Sequence, residues 1–247
     1  MIFDVNFIIF ALVGFCAQLV DGALGMAYGV TSNSLLLGMG ISPAIASASV
    51  HIAEVFTSGV SGFSHFRLGN IDKKIFKKLL IPGIIGGVLG AYLLTSVPGK
   101  SIKPFIAAYL LIMGVRILWR AIKNTKFGKT KTKLFPLGLA GGFFDAIGGG
   151  GWGPIVTSTL IANGNHPRFT IGSVNCSEFF VTLAQATTFL VLVKTLPFNI
   201  ILGLILGGIL AAPLAAIACK KVPAKKLMFI VGLLIIGLSI RTIFLCF

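Results

Sequence analysis

Four of the six acidic residues in the chain recur as two pairs inside apolar sequence, and this duplication constrains the fold more than any other feature. Asp21 to Phe56 aligns without a gap on Asp145 to Phe180. The matches fall on unusual residues: Asp21 on Asp145, Gly25 on Gly149, Tyr28 on Trp152, Gly29 on Gly153, Ser34 on Ser158, Pro43 on Pro167, Ser49 on Ser173 and Glu54 on Glu178. Apolar composition alone would pair Leu with Ile; it would not pair Asp with Asp or Glu with Glu, so the chain is an internal repeat. With small gaps, Ile85-Gly86-Gly87 resembles Leu206-Gly207-Gly208, Val97-Pro98 resembles Val222-Pro223, and Arg116 resembles Arg241.

Hydrophobic residues make up 56% of the chain and charged ones 11%, against roughly a quarter charged in soluble domains. Apolar stretches of about 20 residues, long enough to cross a hydrocarbon core as helices, run from end to end. The expected class is an all-α, multi-pass integral membrane protein. Each half reads as a long glycine-interrupted segment, 7–39 and 135–163, followed by three ordinary helices, 43–66, 75–97 and 102–121 in the first half and 167–194, 198–220 and 225–247 in the second. Residues 1–122 form the first membrane repeat, 123–133 a basic cytoplasmic linker and 134–247 the second repeat. The net charge of +15 sits in short loops, where it orients helices and meets anionic lipid, so nucleic acid is not an expected partner. The four cysteines are scattered singly, with no metal-ligand spacing; no metal, cofactor or enzymatic chemistry is expected, and no oligomeric state is specified.

Basic residues gather in cytoplasmic loops. The loop after the second element holds Arg67, Lys73, Lys74, Lys77 and Lys78 in the first half but only Lys194 in the second. The next loop holds Lys100 and Lys103 against Lys220, Lys221, Lys225 and Lys226. The bias flips between halves, which predicts inverted-topology repeats, each a broken, re-entrant helical hairpin plus three transmembrane helices. Eight crossings in parallel halves is the competing arrangement.

Charged side chains inside a membrane cost on the order of 3 kcal/mol or more and tend to mark a pathway. Asp21, Asp145, Glu54 and Glu178 are therefore candidates for proton relay or gating, with His51 one turn before Glu54; the repeat equivalent of His51 is Asn175. The alternative for the two aspartates is that they cap half-helices at the glycine-rich breaks. The run Gly148 to Gly151, Trp152, Gly153, Pro154 must interrupt its helix, because consecutive glycines in lipid leave backbone that only a protein-lined cavity can satisfy. Half-helix N-termini at such breaks hold anions, and Pro154 suits a first turn. The candidate substrate-binding residues are Gly25, Tyr28, Gly29, Ser34, Gly149, Gly150, Gly151, Trp152, Gly153, Thr157, Ser158 and Asn175, with Thr31, Ser32, Asn33 and Thr159 as further donors. In the alternative reading the hydroxyls bond back one turn along their own helices.

The paired glycine-rich segments, Asp21 to Gly29 and Asp145 to Gly153, are each followed by a proline-led helix carrying Ser-Val and then Glu (Ser49 to Glu54, Ser173 to Glu178). This pattern resembles the TauE/SafE family of membrane anion exporters along essentially the whole chain. The resemblance implies a plasma-membrane secondary transporter that exports a small sulfur-containing oxyanion such as sulfite or an organosulfonate. Two rivals remain at this stage: a passive anion channel, and a membrane thiol-redox protein using Cys16 and Cys176.

Overall fold

The computed structural model describes residues 5–24, 26–122, 132–221 and 224–246, and every regular element among them is helical. The first half comprises α1 (Val5–Leu24), α2 (Tyr28–Gly38), α3 (Pro43–Arg67), α4 (Lys73–Ser96) and α5 (Gly99–Ile122). The second comprises α6 (Leu134–Gly148), a π-helical turn (Gly153–Thr157) running into α7 (Ser158–Ala162), then α8 (Pro167–Leu192), α9 (Phe198–Lys221) and α10 (Ala224–Phe244). Most of the expected linker, 123–131, lies outside the described residues.

Local chemistry explains the boundaries. Both long central helices, α3 and α8, open on a proline, whose fixed φ and missing N–H suit a first turn. Asp72 caps α4, its carboxylate accepting from Lys74 N at 2.8 Å and Ile75 N at 3.2 Å. The first long segment breaks at Ala27, with φ of 96°, and the second at Gly149 and Gly150, with φ of 65° and 151°. These are left-handed conformations that a helix cannot continue through.

The halves pack by exchange. α1 lies on α9 and α6 lies on α4, each broken segment resting on a helix of the other half, while α3 meets α8 and α5 meets α10. Repeat partners in contact run antiparallel. Gly59 faces Phe179, Ser61 Oγ accepts from Asn175 Nδ2 at 2.9 Å, and Gly172 faces Asn70, so α8 descends as α3 ascends. Gly114 meets Ile235 and Ile236 while Gly232 meets Leu118, which gives the same sense for α5 and α10. α6 and α7 fold back on each other, since Asn163 Nδ2 beyond α7 donates to Thr132 Oγ1 ahead of α6 at 2.8 Å.

These contacts revise one detail of the repeat. Gly83 fits against Trp152 and Val181, and Gly208 fits against Tyr28 and Thr57. Trp152 and Tyr28 are repeat partners, as are Val181 and Thr57, so Gly83 corresponds to Gly208. The pairing of Gly86-Gly87 with Gly207-Gly208 is displaced by about one turn, because glycine-rich helices match themselves at several registers.

Polarity is inverted relative to a water-soluble bundle. Ile8, Leu12, Ile81, Tyr92, Phe105, Val191 and Leu210 are exposed, whereas Ser47, Ser49, His51, Glu54, Ser173, Asn175 and Gln185 are buried. An apolar exterior around a polar interior is what a bilayer selects. By length and apolarity, α4 and α5 (over Gly99–Trp119) qualify as membrane-spanning among the described residues, and shorter apolar stretches occupy α1, α6, α9 and α10. α3 and α8, of 25 and 26 residues, carry buried Ser47, Ser49, His51 and Glu54 and Ser173, Asn175 and Gln185 respectively.

Candidate functional site

The two breaks meet. A Cβ on Gly29, in the first turn of α2, would lie 2.5 Å from the Gly150 Cα and 2.6 Å from the Gly149 carbonyl oxygen. Only bare backbone allows that approach. Asn33 Nδ2 of α2 donates to the Gly148 carbonyl at the end of α6, tying one tip to the other. Tyr109 of α5 packs on Gly148 and Gly151, and its hydroxyl donates to the Gly150 carbonyl at 3.4 Å.

Each break carries its own acidic side chain. Asp145 Oδ1 accepts from Gly151 N at 2.6 Å and from Trp152 N at 2.9 Å, and the Asp145 main-chain carbonyl accepts from Gly150 N at 3.0 Å. In the first half Asp21 Oδ1 accepts from Tyr28 N at 3.2 Å. Both aspartates therefore cap the half-helix that follows, at the positive end of its dipole. The amides of Gly150, Gly151 and Trp152, expected to hold a ligand, are engaged by Asp145. The flanking aromatics are locked from the side: Trp152 Nε1 donates to the Val174 carbonyl at 3.2 Å, and the Tyr28 hydroxyl to the Leu204 carbonyl at 3.3 Å.

The second oxygen of Asp145 reaches two further groups, His51 Nε2 at 3.3 Å and Gln185 Nε2 at 3.0 Å. His51 is itself held by Ser47, its Nδ1 lying 2.7 Å from the Ser47 carbonyl. Asp145, His51 and Gln185 come from α6, α3 and α8, so the cluster joins both halves. The repeat counterparts are Asp21, Asn175 and Ser61, of which Asn175 and Ser61 are bonded to each other. The position of His51 in one half is thus held by an amide, Asn175, in the other. Gln185 and Ser61 were missed in the sequence; the only signal was a polar residue in a mostly apolar helix.

Glu54 is buried on α3, and its charge interacts with those of Glu178, Asp145 and Asp21. Its Oε2 has no hydrogen-bond partner among the described residues. The hydroxyls divide: Ser158 Oγ donates back to the Pro154 carbonyl, whereas the hydroxyls of buried Thr31, Ser32, Ser34 and Thr157 have no partner among the described residues. Gly153 is buried at the start of the π-helical turn. Gly25 lies outside the described residues. Cys16 is exposed on α1 and Cys176 sits on α8; both are free thiols.

The sequence profile described as sulfite exporter TauE/SafE matches residues 10–242, spanning both repeats. Over 246 residues the chain is 44% identical to the probable membrane transporter protein YtnM of Bacillus subtilis (strain 168), covering 96% of this chain and 82% of that one. It is 28% identical over 170 residues to the probable membrane transporter protein YdhB of the same organism, covering 65% and 66%. No solved structure matches. A duplicated bundle with an apolar exterior, a polar centre and full-length agreement with this profile is a membrane transporter and not an enzyme, and the chain belongs to the sulfite exporter TauE/SafE family.

Proposed function

We propose that the chain is a secondary transporter exporting a small sulfur-containing oxyanion, such as sulfite or an organosulfonate, by alternating access between two inverted repeats. The observation that carries this reading is the meeting of Gly29 with Gly149 and Gly150. Two repeat-related half-helices start there, near buried hydroxyls of Thr31, Ser32 and Thr157 that have no partner among the described residues. Because Asp21 and Asp145 already occupy the first amides, the substrate is held by these hydroxyls together with the remaining backbone at the tips. Pyramidal sulfite and tetrahedral sulfonates both accept several hydrogen bonds at once, which suits neighbouring hydroxyl and amide donors.

The antiparallel contacts of α3 with α8 and of α5 with α10 support the inversion, since a two-fold axis relating antiparallel helices lies across them, in the membrane plane. The side gathering Lys74, Lys77, Lys78 and Lys133 is then cytoplasmic. α2 is 11 residues long, about 16 Å at the helical rise, too short to cross, so α1–α2 and α6–α7 act as re-entrant hairpins beside three crossing helices per half. Glu54 and Glu178 serve as relay or gate between the tips. Closed tips favour a carrier over an open channel.

The test is flux of sulfite and a panel of sulfonates in proteoliposomes. Saturable flux is expected, reduced at least tenfold by Glu54→Gln or Glu178→Gln; absence of flux for every oxyanion, with wild type and both variants alike, would sink the assignment.

A further inference from the structure

α4 and α6 run side by side in the same direction, and their glycines decide where they touch. Leu79 lies against Gly138, Gly83 against Gly142, and Gly90 against Phe143 and Ala146. A Cβ on Gly142 would stand only 2.2 Å from the Gly83 carbonyl oxygen. Ahead of Leu79 and Gly138 neither helix contains a glycine, and larger side chains hold the two starts apart. The result is an open cleft of about 880 Å³, lined by Lys74, Lys77, Lys78 and Ile81 of α4 and by Lys133 and Phe135 at the start of α6.

The cleft is basic and apolar at once. None of its four ammonium groups has an ion-pair partner among the described residues, and like charges around one opening favour an anionic ligand. Both helices point their positive dipole ends at the same opening. Asp72, at the start of α4, is already taken by Lys74 N and Ile75 N, and no side chain caps α6. Ile81 and Phe135 are 62% and 59% exposed. Ile85 and Leu89, also exposed, follow Ile81 at four-residue intervals and carry its apolar stripe along α4.

The repeat-related location has neither the charge nor the space. In the register set by Gly83 and Gly208, Lys74, Lys77 and Lys78 become Asn199, Leu202 and Gly203, and Lys133 becomes Ile9. Gly203 lets α1 close on α9, since a Cβ there would lie 2.8 Å from the Phe10 Cβ. Lysine on one side of a membrane orients a chain, but orientation does not require the helices to part between the lysines.

We propose that the α4–α6 cleft binds one anionic phospholipid, its phosphate held by Lys74, Lys77, Lys78 and Lys133 and an acyl chain laid along Ile81, Ile85 and Leu89. Basic pockets between membrane helices bind such headgroups, and the apolar stripe selects a lipid over free phosphate. Thr132, which lines the same cleft, accepts from Asn163 Nδ2 at the end of the second hairpin, and α6 carries Asp145. The lipid therefore braces the second hairpin on α4, with no counterpart at the first. The site does not rest on the transport reading above; its effect on flux does.

The test is native mass spectrometry of the full chain, with phosphatidylglycerol and phosphatidylcholine of equal chain length offered together. Retention of one phosphatidylglycerol is expected, favoured about fivefold over phosphatidylcholine. Lys77→Gln, Lys78→Gln and Lys133→Gln together should remove the preference. The same three changed to Arg should keep it, and so should a charge-matched control, Arg67→Gln with Lys225→Gln and Lys226→Gln. No preference in wild type, a preference that survives in the cleft glutamine variant, or its loss in either control overturns the proposal. Displacement of the lipid by glycerol phosphate also overturns it, because the ligand would then be a free phosphate. In proteoliposomes, replacing phosphatidylglycerol by phosphatidylcholine should lower wild-type sulfite flux about threefold and leave the cleft glutamine variant at one low rate in both. Equal lipid dependence in the two proteins overturns the bracing role. If wild type carries no sulfite in either membrane, the transport reading falls, while the retained lipid still decides the site.

Discussion

Asp145 and Asp21 sit at matching positions and do unequal work, and the inequality is measurable. Asp145 accepts two main-chain N–H groups and contacts His51 and Gln185; Asp21 accepts one N–H group, from Tyr28. Each donor left buried without an acceptor costs about 1–3 kcal/mol. Asp145→Ala should therefore lower the unfolding midpoint in detergent clearly more than Asp21→Ala, and equal losses would argue against the capping role. Gly29→Ala puts a methyl group into the Gly150 backbone, an overpacking cost of about 1–3 kcal/mol, whereas Gly59→Ala meets only the Phe179 ring at 3.2 Å. Transport should fail in the first and survive in the second. The repeat made the aspartates and glutamates legible, because the same rare residue appears twice in lipid-compatible sequence. Gln185 and Ser61 stayed hidden because their partners lie on other helices, and spacing along one helix cannot reveal a contact across the bundle.

Elements were easier to read than their contacts. The proline starts of α3 and α8, the break at Gly149 to Gly151 and the ends near Lys194 and Val97 follow from residue chemistry that acts locally. The π-helical turn at Gly153–Thr157 does not, since it arises where Pro154 removes one donor and the tip packs on α8. Nor does the register of Gly83 with Gly208, which is set by two aromatic side chains from other elements. The antiparallel meeting of α3 and α8 gives a direct test. Ser61→Cys with Asn175→Cys, at positions now joined by a 2.9 Å hydrogen bond, should form a disulfide on mild oxidation. Ser61→Cys paired with Val191→Cys should not, and a bridge in the second pair would contradict the observed direction of packing.

At the scale of the whole molecule, charge and packing make a joint prediction about sidedness. Lys77, at the start of α4, and Lys225, at the start of α10, should be modified by a membrane-impermeant amine reagent from the cytoplasmic side, and Lys100 and Lys194 from the other; Lys77 and Lys225 on opposite sides would remove the inversion. The exchange of broken segments between halves, α1 on α9 and α6 on α4, has a consequence beyond transport. Neither half encloses its own hairpin, so residues 1–122 or 134–247 made alone should be degraded, and the two made together should recover a functional pair. If the halves are inverted as proposed, a lone gene copy before duplication could have filled both sets of positions only by inserting its product both ways up and joining the two orientations as a dimer.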